Sequence, residues 1–163
     1  MMTHARRVLA VLAVFTLALF GLATSASAAG HAAKPKHHGV QHFLGLQSDP
    51  AETATPTIIA TGPIHAQGTD RVINDNNDVF TFPAGTLSVF HSPTSQHDSF
   101  DPVTCLGRHT ERGTYRITGG TGAYAQASGK GHYTVSVVIV GCSQSAPPTV
   151  FQLVIDAKGP IRF

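Results

Sequence analysis

The sequence predicts an all-β fold, a barrel or a sandwich, behind an N-terminal export segment. Three observations carry this. After Pro56, short runs rich in β-branched residues alternate with Gly- and Pro-containing turns. No later stretch of helical length carries an apolar stripe at 3.6-residue spacing. The strongest apolar run, "HYTVSVVIVGC", has five Val or Ile residues in strand-like order and ends on one of only two cysteines.

The elements follow in chain order. "MMTHARR" supplies a positive start through Arg6 and Arg7, "VLAVLAVFTLALFGLA" is uncharged and apolar, and Ala26-Ser27-Ala28 fits a cleavage rule. Residues 1–28 are therefore expected to be a signal peptide, so the protein is expected to be secreted. The rival is a membrane anchor, but the run is near the lower limit of the roughly 17–25 residues a span needs. It also ends in small residues rather than a charged stop, so no membrane span is expected after processing.

Residues 29–55 read as a flexible lead-in rich in His, Pro and Ala, without sustained periodicity. His31, His37, His38 and His42 invite a metal hypothesis, since imidazole suits zinc, copper or nickel. A solvated tail that binds such ions only weakly is the preferred reading, with His37, His38 and His42 as the weak ligand candidates.

The barrel or sandwich domain is placed at residues 56–163. "TIIATGPIHAQG" gives a strand interrupted at Gly62-Pro63. Strands are expected at residues 78–82 and 86–91, with Pro83-Ala84-Gly85 turning between them. "INDNND" is polar turn material that lacks the spacing of a calcium loop. "SPTSQHDSFDP" reads as a loop, and "VTCLGRHTERGTYRIT" as a long or bent strand broken near Gly107 and Gly113. "HYTVSVVIV", "TVFQLVIDA" and a short terminal "GPIRF" complete the strands.

Charge and cysteine content narrow the function classes. The chain has 11 basic and 9 acidic side chains; without Arg6 and Arg7 the 9 remaining bases equal the acids. A nucleic-acid binder needs a basic face to displace counterions, so no nucleic-acid partner is expected. Cys105 and Cys142 in an exported chain are read as a disulfide. A zinc site would want four ligands at recognisable spacing.

"ITGGTGAYAQASGKG", residues 117–131, raises the possibility of a dinucleotide loop through Gly120-Thr121-Gly122. Such a loop needs a following helix and an acidic ribose partner about 20 residues on. Gly129 and Gly131 interrupt any helix, and no acid lies between Glu111 and Asp156. A turn between strands remains, with Gly119, Gly120 and Gly122 supplying close approach or positive φ and Tyr124 folding over the core. No cofactor is expected.

The run Gly119-Gly120-Thr121-Gly122-Ala123-Tyr124, followed by Gly129, resembles the signature of dirigent proteins and allene oxide cyclases. The spacer departs from the dirigent pattern, with Gln126 and Ser128 where Arg residues are usual. From "ATGPIHAQGTD" to the glycine cluster and beyond, about residues 57–163, the chain is similar to bacterial secreted proteins with an allene-oxide-cyclase-like barrel. The resemblance implies an eight-stranded antiparallel barrel with an apolar cavity, and a homo-oligomer, since the plant families are often trimeric. It carries no catalytic residue across; the matched glycines are structural in the family.

Candidate chemistry therefore comes from single residues. His109 and Glu111, two apart, can form an acid–base pair in a cavity, but the flanking Arg108 and Arg112 favour an outward, solvated reading. His65, His91 and His132 read as satisfied or exposed residues. Asp78 is either a substrate contact or, preferably, a turn residue satisfying backbone N–H groups. Tyr115 and Tyr133 can line a cavity or simply pack the core. No nucleophile elbow and no H-E-x-x-H helix occurs. The leading expectation is a secreted barrel that binds a small apolar molecule and steers its cyclisation or coupling without a covalent nucleophile, cyclase-, isomerase- or dirigent-like if an enzyme. The alternative is a non-enzymatic extracellular structural or interaction module.

Overall fold

Each of eight strands pairs antiparallel with its neighbour in sequence, and the last returns to the first, in a computed structural model that describes residues 37–51, 54–143 and 146–163. The strands are β1 His38–Gln47, β2 Thr57–Thr61, β3 Ala66–Asn74, β4 Asn77–Phe82, β5 Gly85–Asp101, β6 Leu106–Gly120, β7 Ser128–Val140 and β8 Val150–Arg162. Ten residue pairs join β1 to β8, so the sheet closes into a barrel and leaves no free edge. The eight-stranded antiparallel barrel is thus present. Residues 1–28 and His31 lie outside the described residues.

Several strands differ from the sequence reading, which placed Ile73-Asn74 in a turn although β3 runs through them. His38–Gln47, assigned above to a flexible lead-in, is β1 and joins both β2 and β8. Its polarity is inverted: Gln41, Phe43 and Gly45 point inward, while Val40, Leu44 and Leu46 face out. That order hides the usual alternation. Gln41 is fully buried because its side chain is saturated. Its Nε2 donates to Thr61 O at 2.9 Å and to Ile64 O at 3.0 Å, and Oε1 accepts from Ile64 N at 2.8 Å. A side-chain amide thereby stands in for a strand partner where β2 turns away, and satisfies the buried backbone of that turn. Gly62 makes the turn at φ +130°, and a Cβ there would strike Val40 O.

"SPTSQHDSFDP" is strand, not loop: β5 runs on to Asp101 against β6. The ladder shifts register between Pro93 and Ser95, where proline has no N–H to give. Both faces of this extension are solvated, so no apolar pattern marked it. Gly107 and Gly113 lie within β6 and do not break it. Gly159-Pro160 does not divide β8, which continues as one strand.

The glycine cluster behaves as read. Gly122–Tyr124 forms a single 3₁₀ turn between β6 and β7, Gly122 sits at φ +58°, and Tyr124 is buried. Its ring meets Phe82 and Phe163 edge-on at 6.1 and 5.3 Å. Ile64, Leu87, Tyr124 and Ile161 fill this end of the barrel. The opposite end, where β5–β8 outrun the shorter strands, carries the Cys105–Cys142 disulfide. Among the described residues no helix is long and apolar enough to cross a membrane.

Candidate functional site

The interior is not packed shut. A cavity of about 410 Å³ occupies the end of the barrel away from Tyr124, within the size of small-molecule pockets. Phe43, Phe80, Val89, Val135, Leu153 and Ile155 give it apolar walls. Polar groups come from five consecutive strands, three of which also supply those apolar walls: Asp70 on β3, Asp78 on β4, His91 on β5, Tyr115 on β6 and Tyr133 on β7. Strand parity places them, since each is an inward-facing position.

Two glycines make room for the tyrosine rings. Tyr133 lies opposite Gly113 and Tyr115 opposite Gly131 in the β6–β7 ladder. A Cβ on Gly113 would come 2.6 Å from Tyr133 Cε1, and one on Gly131 would come 2.6 Å from Tyr115 Cε1. Each ring therefore lies over the bare backbone of its cross-strand partner.

A connected polar chain runs along the wall. The Tyr133 hydroxyl donates to Glu111 Oε1 at 2.6 Å and stands 3.5 Å from His91 Nδ1. His91 Nε2 is 3.2 Å from Asp78 Oδ2, both side chains being largely buried. The charge of Asp78 in turn acts on Asp70. Gln96 Nε2 donates to the other Glu111 oxygen. The acid–base pair considered for His109 and Glu111 is not formed, and the outward reading preferred for both holds for His109 alone. His109 Nδ1 instead meets Asp98 Oδ1 at 2.8 Å on the exposed extension, and Glu111 is the member that reaches the cavity wall.

Burial sets the protonation of this wall. Asp70, 3% exposed, is pushed up to about 8, first by desolvation and then by the Asp78 charge. Burial also raises Asp78, against the opposing pull of His91. Desolvation lifts the Tyr115 hydroxyl to about 12. Tyr133 is raised by burial and then by its hydrogen bond and proximity to Glu111. Two buried side-chain atoms among the described residues have no partner, Asp70 Oδ1 and the Tyr115 hydroxyl. Both belong to residues lining the cavity.

The structure thus gathers Asp78, Glu111, Tyr115 and Tyr133 from the sequence candidates and adds His91 and Asp70. His91 is no isolated strand histidine but the link between Asp78 and Tyr133. Asp70 had no sequence signal: it shares the inward face of β3 with Ala66 and Gly68, so no alternation marked it. His65 and His132 are exposed, consistent with their sequence reading.

The remaining histidines go elsewhere. His37 stacks on Phe163 at 5.3 Å, His38 is exposed on β1, and His42 Nε2 meets Asp156 Oδ1 at 3.1 Å. Among the described residues no group of three or more His, Cys, Asp or Glu is arranged to hold a metal. Comparison with known proteins adds no relative: no family model, curated protein or solved structure matches the chain significantly.

Proposed function

We propose that this protein is an exported barrel that takes a small, mainly apolar molecule into its cavity and steers a cyclisation, coupling or isomerisation by shape, desolvation and proton transfer. The cavity is the observation that carries this reading, because a mainly apolar lining also presents acids, a histidine and two phenols. Such a site holds a substrate apart from water and offers acid–base groups without a covalent nucleophile. The N-terminal export signal, the disulfide and the resemblance to allene oxide cyclase and dirigent barrels support the same reading.

Calorimetric titration of the purified protein with a panel of apolar and phenolic compounds tests it. Binding that is lost when Val135→Trp fills the cavity supports the proposal. A wild-type protein that takes up none of the panel contradicts it.

A second reading, an extracellular interaction module, is favoured by one observation. Val40, Leu46 and Ile59 are exposed on the outward faces of the paired strands β1 and β2. Exposed apolar side chains of this kind suit contact with another protein surface or a second copy of the chain. Light scattering on wild type and a Val40→Lys/Ile59→Lys variant separates the two: self-association lost in the variant favours the module.

A further inference from the structure

We infer that the Asp70 carboxyl and the Tyr115 hydroxyl form a two-donor site for the oxygen of a carbonyl ligand, and that Asp78, braced by His91, takes a proton from the carbon beside that carbonyl. This rests on the reading of the cavity as a ligand site and adds the chemical class of the ligand.

The first support is the pair of orphaned atoms. Buried polar atoms are almost always hydrogen-bonded, and leaving one unpaired costs free energy. Here Asp70 Oδ1 and the Tyr115 hydroxyl are both unpartnered, both belong to one cavity lining, and both adjoin apolar walls. Their protonation states decide what they can receive. Desolvation keeps Asp70 largely neutral and Tyr115 wholly neutral at pH 7. A carboxylic acid and a phenol are both O–H donors. Two donors without an acceptor call for an acceptor oxygen, and they favour one that gains negative charge. A neutral carboxylic acid beside a tyrosine is an established way of holding an enolate.

The second support is the neighbouring base. Asp70 faces Phe80 across the β3–β4 ladder, and Asp78 lies two residues along β4 on the same inward face. His91 holds Asp78 Oδ2 at 3.2 Å, and its pull opposes the rise that burial gives the Asp78 carboxyl, a counterweight that Asp70 lacks. The other charged or titratable groups of this wall are Asp75, Glu111 and Tyr133; Glu111 is occupied by Tyr133 and Gln96. Two carboxyls with unlike surroundings thereby take unlike roles, one as donor and one as base.

The chemistry balances without a co-reactant. The C–H bond next to the carbonyl breaks and its proton passes to the Asp78 carboxylate. The electron pair forms a C=C bond, and the carbonyl π pair moves to the oxygen held by Asp70 and Tyr115. Return of the proton to a conjugated carbon moves a double bond; return to the original carbon exchanges hydrogen.

The bicyclic ketone β-tetralone and its carbonyl-free counterpart tetralin make the test. Calorimetry on wild type is expected to show the ketone at least about tenfold tighter than tetralin, from two hydrogen bonds in an apolar site. Infrared difference spectra are expected to show the bound C=O stretch moved to lower frequency. Tyr115→Phe and Asp70→Leu, checked for folding by thermal melts, are expected to reduce both effects. In D2O, proton NMR is expected to show exchange beside the carbonyl above the buffer rate, lost in Asp78→Asn.

Tetralin binding as tightly as the ketone, with the stretch unmoved, would overturn the donor pair and leave the cavity reading standing. Exchange at the buffer rate with ketone bound would overturn the role of Asp78. Failure of both compounds to bind would overturn this inference together with the reading on which it rests.

Discussion

Tyr133 on β7 donates a 2.6 Å hydrogen bond to Glu111 on the adjacent strand β6, with its hydroxyl 3.5 Å from His91 Nδ1. The bond ties a carboxylate at the barrel rim to a phenol in the cavity wall, and the negative charge disfavours the tyrosinate. Burial and Glu111 together raise the Tyr133 titration above the ordinary phenol range. Glu111→Gln is expected to lower that titration while leaving it above normal through burial. Ultraviolet titration of the tyrosines checks this; an unchanged curve for Tyr133 would break the link.

The two tyrosine–glycine pairs carry a stability prediction. A methyl on Gly113 meets Tyr133 and Ser92 O, and one on Gly131 meets Tyr115 and Lys158 O. Backbone oxygens cannot move aside as a side-chain tip can, so Gly113→Ala and Gly131→Ala are each expected to cost about 1–3 kcal/mol. Urea melts measure it. Wild-type midpoints for both variants would show that the rings do not lie over these strands.

Asp70 makes stability depend on pH. Its folded value of about 8 exceeds the unfolded value near 3.8, so the native state holds a proton that the unfolded chain releases. The contribution is fully present below pH 4 and falls as pH rises toward 8, with a slope of up to about 1.4 kcal/mol per pH unit. Asp78, raised in the same direction, adds to the trend. Asp70→Asn is expected to flatten this slope and to be more stable than wild type near pH 8. Denaturant melts between pH 4 and 8 decide; a parallel pair of curves would contradict the account.

The disulfide closes a loop of sequence separation 37 at the end of the strand extension. Cys105→Ser/Cys142→Ser is expected to cost about 3–4 kcal/mol by the chain-entropy relation. The loss is read from denaturant midpoints with and without reductant. Wild-type stability in the double variant would mean the bridge adds no constraint.

The sequence carried the all-β architecture, the Cys105–Cys142 bridge and the Gly119–Tyr124 turn, because these rest on local signals: β-branched runs, a cysteine pair and glycines at a turn. It concealed β1 because closure places Gln41 inside and Val40 outside, the reverse of the expected pattern. It concealed the distal half of β5 because Pro93 and two solvated faces mimic a loop. The site was half visible. Asp78, Glu111, Tyr115 and Tyr133 stood out as candidates by residue type, but the partnership of Asp78 with His91 depends on strand pairing. Gly113 read as a strand breaker, whereas the fold uses it as the place where the Tyr133 ring lies. Asp70 becomes conspicuous only when the closed barrel removes its water.

Methyl NMR during titration with β-tetralone tests the central claim most directly. Shifts confined to the cavity methyls of Val89, Val135, Leu153 and Ile155 are the expected result. Shifts confined to Val40, Leu46 and Ile59 on the outer surface, or none at saturating ligand, would contradict a ligand-binding interior.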